Sequence, residues 1–301
     1  MPDTVLEASD LGHAYGSVVA LHDVDLAVPS GRIGLVGANG AGKTTLIKIL
    51  LGILRPTTGS TKVLELSSQR ETIDVRSHVG YMPEGDCLPV DQKASDFLVL
   101  AAGLAGLPSQ AARQRASDVL TLVGLDEERF RYLGDFSTGM KQRTKLAQAI
   151  VHDPSIVFLD EPAAGLDPQG REEMLELIGR LGSFGIDVVV SSHVLADIER
   201  TCDWVIMLDG GRVLRSGPLE TLTDASMVDV EVLGDHAALV SWLESAGATV
   251  QTSDSTITVS QSDDLYGLVR DGLAATGTGL RSLGPRSTSL EDVFLEAGKR
   301  S

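Results

Sequence analysis

Three kinds of hydrophobic spacing succeed one another along the chain. From Val5 to Ser30 apolar and polar residues alternate around turn residues, which predicts a small antiparallel β region. Arg32–Val36 is a short apolar run bounded by glycines that leads into a Gly-rich loop and the helical spacing of Thr44–Leu51. Ile156–Leu159 and Val188–Val190 are apolar runs without alternation, the mark of parallel strands buried on both faces. Arg171–Leu181 between them has helical periodicity and completes a βαβ unit. The stretch from about Val90 to Ile150 carries almost no strand signal and several amphipathic helical windows, such as Ala111–Val123. It reads as a helical insert in the α/β core.

After Gly217-Pro218 the character shifts. Val228–Val232, Asp235–Ala246, Ala248–Gln251, Thr256–Ser260, Asp263–Ala275 and Leu280–Leu283 read β, α, β, β, α, β, the order of a ferredoxin-like fold. The expected organisation is therefore a large domain over residues 1–220, with its helical part at about 88–150, and a small α+β domain over 224–301.

Composition narrows the function classes. The 301 residues suffice for one large core and one small one. A net charge of −17 argues against a nucleic-acid partner, whose footprint is a basic excess. The two cysteines, Cys87 and Cys202, lie far apart and form no CxxC pair, so they read as free thiols in a reducing compartment. Met1 to Gly12 lacks the basic and apolar regions of a signal peptide. The longest apolar stretch, Phe97 to Leu107, falls short of the roughly 18–20 residues of a membrane span. Any membrane role is thus expected to come through a partner.

The chemistry begins at Gly37-Ala38-Asn39-Gly40-Ala41-Gly42-Lys43-Thr44, which fits G-x-x-x-x-G-K-[ST] between a strand and a helix. Glycines let backbone N–H groups approach phosphate oxygens, and the helix N-terminus adds a favourable dipole. Asn39, Gly40, Ala41, Gly42, Lys43, Thr44 and Thr45 are the expected nucleotide contacts. Lys43 serves the β/γ-phosphates, and Thr44 offers a hydroxyl to Mg2+. Such a loop places the core among P-loop NTPases, leaving kinases, GTPases, motors and transporter ATPases open. Ile156–Leu159 then delivers Asp160 and Glu161 to the carboxyl end of a central strand, where α/β sheets bind ligands. Asp160 suits Mg2+, and Glu161 suits a general base for water attacking the γ-phosphate.

Phe136-Ser137-Thr138-Gly139-Met140-Lys141-Gln142-Arg143 follows the helical insert and precedes the acids, and it resembles the LSGGQ-type signature of the ABC ATPase family. Further matches are the D-loop-like Ala164-Gly165-Leu166-Asp167 and the switch-histidine-like Ser191-Ser192-His193. Tyr15 lies 22 positions before Gly37, where the family places an aromatic that stacks on adenine. The resemblance covers nearly the whole chain and is most specific in the first ~220 residues. It implies a RecA-like core, ATP and Mg2+ as cofactors, and a head-to-tail dimer with itself or a homologous ATPase subunit. In that dimer Ser137, Thr138, Gly139 and Asp167 face the partner's nucleotide, while His193 contacts the γ-phosphate.

Two positions depart from the family pattern. Glu84, in Gly80-Tyr81-Met82-Pro83-Glu84, replaces the glutamine that links Mg2+ and attacking water to the insert, and Thr138 replaces a glycine. Both look like a bacterial exporter branch whose ATPase and permease are separate chains, as does the ending Thr288-Ser289-Leu290-Glu291-Asp292-Val293-Phe294. The resemblance thus implies a transmembrane permease partner and a place on the cytoplasmic face of the membrane. A soluble ABC ATPase acting on ribosomes is disfavoured by the acidity and the single nucleotide-binding unit. A nucleotide kinase is disfavoured by the Ser137 motif and the lack of a recognisable lid.

Overall fold

The computed structural model describes residues 4–223, 227–234, 236–253, 256–260, 264–285 and 289–298. They fall into two compact units, residues 4–219 with 296–298, and residues 220–295.

In the first unit, β1 (Thr4–Tyr15), β2 (Val18–Pro29), β3 (Arg32–Val36), α1 (Lys43–Leu50), β4 (Thr58–Val63), β5 (Leu66–Ser67), α2 (Thr72–His78) and β6 (Val79–Met82) come first. The insert holds α3 (Ala94–Leu104), α4 (Ser109–Leu122), a 3-10 turn at Leu133–Asp135 and α5 (Thr138–Ile150). Then follow β7 (Ile156–Asp160), α6 (Pro168–Ser183), β8 (Asp187–Ser192), α7 (Leu195–Thr201), β9 (Trp204–Asp209) and β10 (Arg212–Pro218), and the boundary between the units falls in α8 (Leu219–Thr223).

These strands make an antiparallel sheet of order β2-β1-β4-β5 and a six-stranded sheet of order β10-β9-β3-β8-β7-β6. The second is parallel except for the edge strand β10. One strand, β8, separates the loop-bearing β3 from the acid-bearing β7, as in a RecA-like core. The β9–β10 hairpin was not anticipated from the spacing. Its two arms join through Gly210 and Gly211, both at positive φ, and only the first arm is continuously buried.

Helix α1 explains why the Gly-rich loop holds still. Leu46, Ile47, Ile49 and Leu50 are buried in one cluster with Leu6, Leu21 and Val24 of the antiparallel sheet and Leu35, Phe158 and Leu208 of the parallel sheet. Each such side chain contributes roughly 1.5–3 kcal/mol of burial. Helix α1 starts one residue before the expected Thr44 because Gly42, at φ 104°, turns the chain into it. Gly37 is equally constrained, since a Cβ there would lie 2.3 Å from the Leu208 carbonyl oxygen.

The second unit runs β11 (Met227–Leu233), α9 (Ala237–Ser245), β12 (Thr249–Ser253), β13 (Thr256–Ser260), α10 (Leu265–Thr276) and β14 (Gly279–Pro285), and its boundary at Leu295 falls within the last helix of the chain, α11 (Leu290–Gly298). Its antiparallel sheet has order β12-β13-β11-β14, the strand arrangement of the expected ferredoxin-like fold. Val228, Val230, Val232, Ile257 and Val259 point to one face and pack with Leu239, Leu243 and Val269. Asp229, Glu231, Thr256 and Thr258, their neighbours in register, occupy the other. Asp235, Asp263 and Thr288, named in the sequence reading, lie outside the described residues.

Candidate active site

The site gathers at the carboxyl ends of β3, β7 and β8. Residues Ala38 to Thr45 line a cleft of about 270 Å³ together with Ala20, Glu84 and Glu161. Lys43 is buried, and its Nζ donates to the carbonyls of Gly37 at 2.7 Å and Ala38 at 3.4 Å. Its ammonium also lies 3.4 Å from Glu161 Oε1, a buried oxygen with no hydrogen-bond donor among the described residues.

Asp160 is held from two sides. Thr44 donates its hydroxyl to Oδ2 at 2.9 Å, and Ser191 donates to Oδ1 at 2.5 Å. The parallel register sets Ser191 directly beside Asp160, so one polar residue at the end of β8 serves the acid on β7. Ser191 also accepts the Glu161 N–H, through its hydroxyl at 3.0 Å and its carbonyl at 3.2 Å. That grip holds Glu161 in the left-handed region, at φ 50°. A non-glycine residue there costs roughly 1–2 kcal/mol. The sharp turn lifts the Glu161 carboxylate from the strand end toward Lys43 and His193. His193 Nδ1 lies 2.9 Å from Glu161 Oε2, and the imidazole is half exposed. With Nδ1 protonated, the ring donates to the carboxylate and fixes its orientation.

The signature residues stand apart from this cleft. Ser137 caps α5 by accepting the Met140 N–H at 3.3 Å, which leaves its own hydroxyl hydrogen free to donate. The first-turn N–H groups of Thr138 and Gly139 have no partner inside the helix. Asp167 caps α6 by accepting from Gly170 N at 2.9 Å. Ser137, Thr138, Gly139 and Asp167 line a second hollow that shares no residue with the first. Tyr15, at the end of β1, is 49 % exposed and does not line the phosphate cleft. Its ring meets His13 edge-on, with centroids 4.6 Å apart.

The structure thus brings Lys43, Thr44, Glu84, Asp160, Glu161 and His193 together and leaves Tyr15, Ser137, Thr138, Gly139 and Asp167 elsewhere on the surface. Sequence reading missed three residues that bind these parts to one another. Ser191 is one, inside a motif whose histidine drew the attention. The second is Gln142, whose side chain donates to the Ala164 carbonyl at 3.0 Å and so joins α5 to the loop after Glu161. The third is Lys145, which donates to the carbonyls of Pro83, Glu84 and Gly85 at 2.8, 3.0 and 3.3 Å. Gln142 and Lys145 prove to be among the buried residues of α5, and no local signal marked them.

Comparisons with known proteins agree with this geometry. Residues 21–164 match the family described as ABC transporter. Across 97% of this chain and 99% of the relative, the sequence is 33% identical to an uncharacterized ABC transporter ATP-binding protein, YxlF, of Bacillus subtilis. It is 32% identical to Nod factor export ATP-binding protein I of Cupriavidus pinatubonensis, over 97% of this chain and 90% of that one. Among solved structures, an ATP binding subunit of an ABC transporter superposes with a TM-score of 0.65 at 31% identity, covering 73% of this chain and 92% of that one. Full-length likeness to such proteins, on a RecA-like core whose phosphate loop faces paired acids, makes this chain a member of the ABC transporter family and its ATP-binding, ATP-hydrolysing subunit.

Proposed function

We propose that two such subunits, two copies of this chain or this chain and a homologue, sandwich ATP between them and power export through a separately encoded transmembrane permease. The observation that carries this is the division of the motifs between two hollows with no residue in common. Each molecule then offers a phosphate-binding half and a signature half, and two molecules head to tail complete both.

In this reading the N–H groups of residues 39–45 and the Lys43 ammonium bind the β/γ-phosphates, and Tyr15 stacks on adenine. Thr44 Oγ1 and Asp160 Oδ2, hard oxygen donors 2.9 Å apart at the cleft edge, suit Mg2+, with Glu84 as a further carboxylate ligand. Bound with the nucleotide, the ion would supply charge neutralisation of the phosphates. Glu161 Oε1 takes a proton from the attacking water, while His193 holds Oε2 and touches the γ-phosphate. From the partner, Ser137, Thr138 and Gly139 grip that phosphate through a hydroxyl and helix N–H groups, and Asp167 lies across the interface. Positioning and charge stabilisation do most of the work in phosphoryl transfer.

The permease's cytoplasmic segments dock on a groove lined by Ile73, Tyr81, Phe97, Leu100 and Leu104, of which Ile73 and Leu104 are more than four-fifths exposed. Among the described residues no helix is long and apolar enough to cross a membrane, so a peripheral position at the cytoplasmic face follows from that partner. Support for export lies in the two replacements, Glu84 and Thr138, and in the full-length likeness to a Nod factor export protein.

The test is subunit mixing. Lys43→Ala and Ser137→Arg proteins are each inactive alone, but a mixture forms heterodimers with one intact composite site and regains ATPase activity. Folded variants that recover nothing on mixing refute the shared site.

A further inference from the structure

Beyond the motifs, a lysine lies inside the protein. Lys145 is only 3% exposed, although a lysine on an amphipathic helix ordinarily reaches water. Its three partners are the consecutive carbonyls of Pro83, Glu84 and Gly85, all within 3.3 Å. An ammonium has three donors and no acceptor, so this loop saturates it. Burial pushes the Lys145 pKa below its ordinary range, and the field of Cys87, Asp86, Glu84 and Asp160 works against that push.

Two facts give this contact a direction. The loop it grips bears Glu84, which lines the phosphate cleft with Glu161. The helix it stands on is α5, whose cap is Ser137 and whose first turn is Thr138 and Gly139. Lys145 lies eight residues past Ser137, roughly 12 Å along a helix rising 1.5 Å per residue. A rigid rod therefore joins the surface that meets one nucleotide to the loop that meets the other.

We infer that Lys145 is a positioning residue for Glu84: it fixes the loop to the signature helix and sets a positive charge behind the Glu84 carboxylate. Glu84 and Glu161 line the phosphate cleft and Asp160 is hydrogen-bonded to Thr44 at its edge, while Lys43 and Lys145 are the buried lysines among the described residues. A cation behind the loop lessens the mutual repulsion of acids that share a site. The inference rests on the reading of Glu84 as a group that faces the nucleotide.

The experiment is a double-mutant cycle of Lys145→Met and Glu84→Gln in the full chain, with steady-state ATPase kinetics and amide exchange across residues 83–87. In the native background, Lys145→Met is expected to lower kcat about tenfold or more with KM for ATP changed less than about threefold. Exchange at 83–87 rises, while exchange in the phosphate loop does not. In the Glu84→Gln background the same substitution costs less than about threefold, because the charge it balanced is gone. Lys145→Gln, which keeps donors but not charge, retains loop protection and loses turnover, so the two contributions separate. An equal loss in both backgrounds makes Lys145 a general packing residue and overturns the inference. Wild-type turnover in Lys145→Met while Glu84→Gln is slow overturns it too. Wild-type turnover in Glu84→Ala removes the underlying reading of Glu84 instead.

Discussion

At the scale of single residues, Glu161 concentrates the chemistry. Its carboxylate stands between a lysine and a histidine, on a backbone held at positive φ by Ser191. Glu161→Gln keeps shape and hydrogen bonding but removes basicity. Turnover is expected to fall on the order of a hundredfold or more, while ATP affinity, read by equilibrium binding, stays near wild type. Near-native phosphate release from this variant would show that another group takes the proton. Tyr15 tests the base end of the nucleotide. Tyr15→Ala is expected to weaken ATP binding by about 1–3 kcal/mol and Tyr15→Trp to preserve it; equal titration curves for Ala and wild type return Tyr15 to a surface role. The thiols differ through their surroundings. Burial pushes the Cys202 thiol up to about 12; partial burial raises the Cys87 thiol as well, but Cys87 is exposed and within a reagent's reach. A thiol reagent at pH 8 is expected to modify Cys87 in the native protein and to reach Cys202 only after denaturation, as counted by mass.

At the scale of elements, the central sheet shows what a linear pattern conveys and what it leaves out. The apolar runs announced β3, β7 and β8, and the Gly-rich loop and paired acids announced the chemistry at their ends, because burial on both faces and phosphate binding each demand local residue types. The neighbour relations were not legible. That Ser191 lies beside Asp160 depends on the register of β7 against β8, which no local signal encodes. Lys145 looked like any solvent-facing lysine of α5, since its partners are backbone carbonyls about 60 residues earlier in the chain. Backbone groups leave no trace in composition. The hairpin β9–β10 escaped because its outer arm is half exposed and lacks clean alternation. Ser191→Ala probes this level. It strips a buried acid of a donor and the Glu161 N–H of an acceptor, so a loss of about 1–3 kcal/mol in urea unfolding is expected. An unchanged midpoint would mean that water or a shifted backbone replaces both bonds.

At the scale of the whole molecule, the unit beginning at Glu220 has its own buried cluster and its own sheet. We expect it to tune dimer lifetime or transport-coupled ATPase rate, because no nucleotide motif lies beyond His193. A chain ending at Thr223 should therefore bind ATP as the full chain does; a folded truncation that binds none would make the second unit part of the catalytic apparatus. The separation of the two hollows on the first unit has a consequence for reaction order. If the two hollows are halves of sites shared head to tail, as proposed, catalysis in solution begins with a collision between two subunits. Well below the dimerisation constant, the observed rate should rise with the square of protein concentration, and specific activity should decline steadily on dilution. Two subunits docked on one permease escape that law, because tethering replaces bulk concentration by a far higher local one. A subunit adrift in solution would then consume almost no ATP, and one seated beside its partner at the membrane would run at full rate.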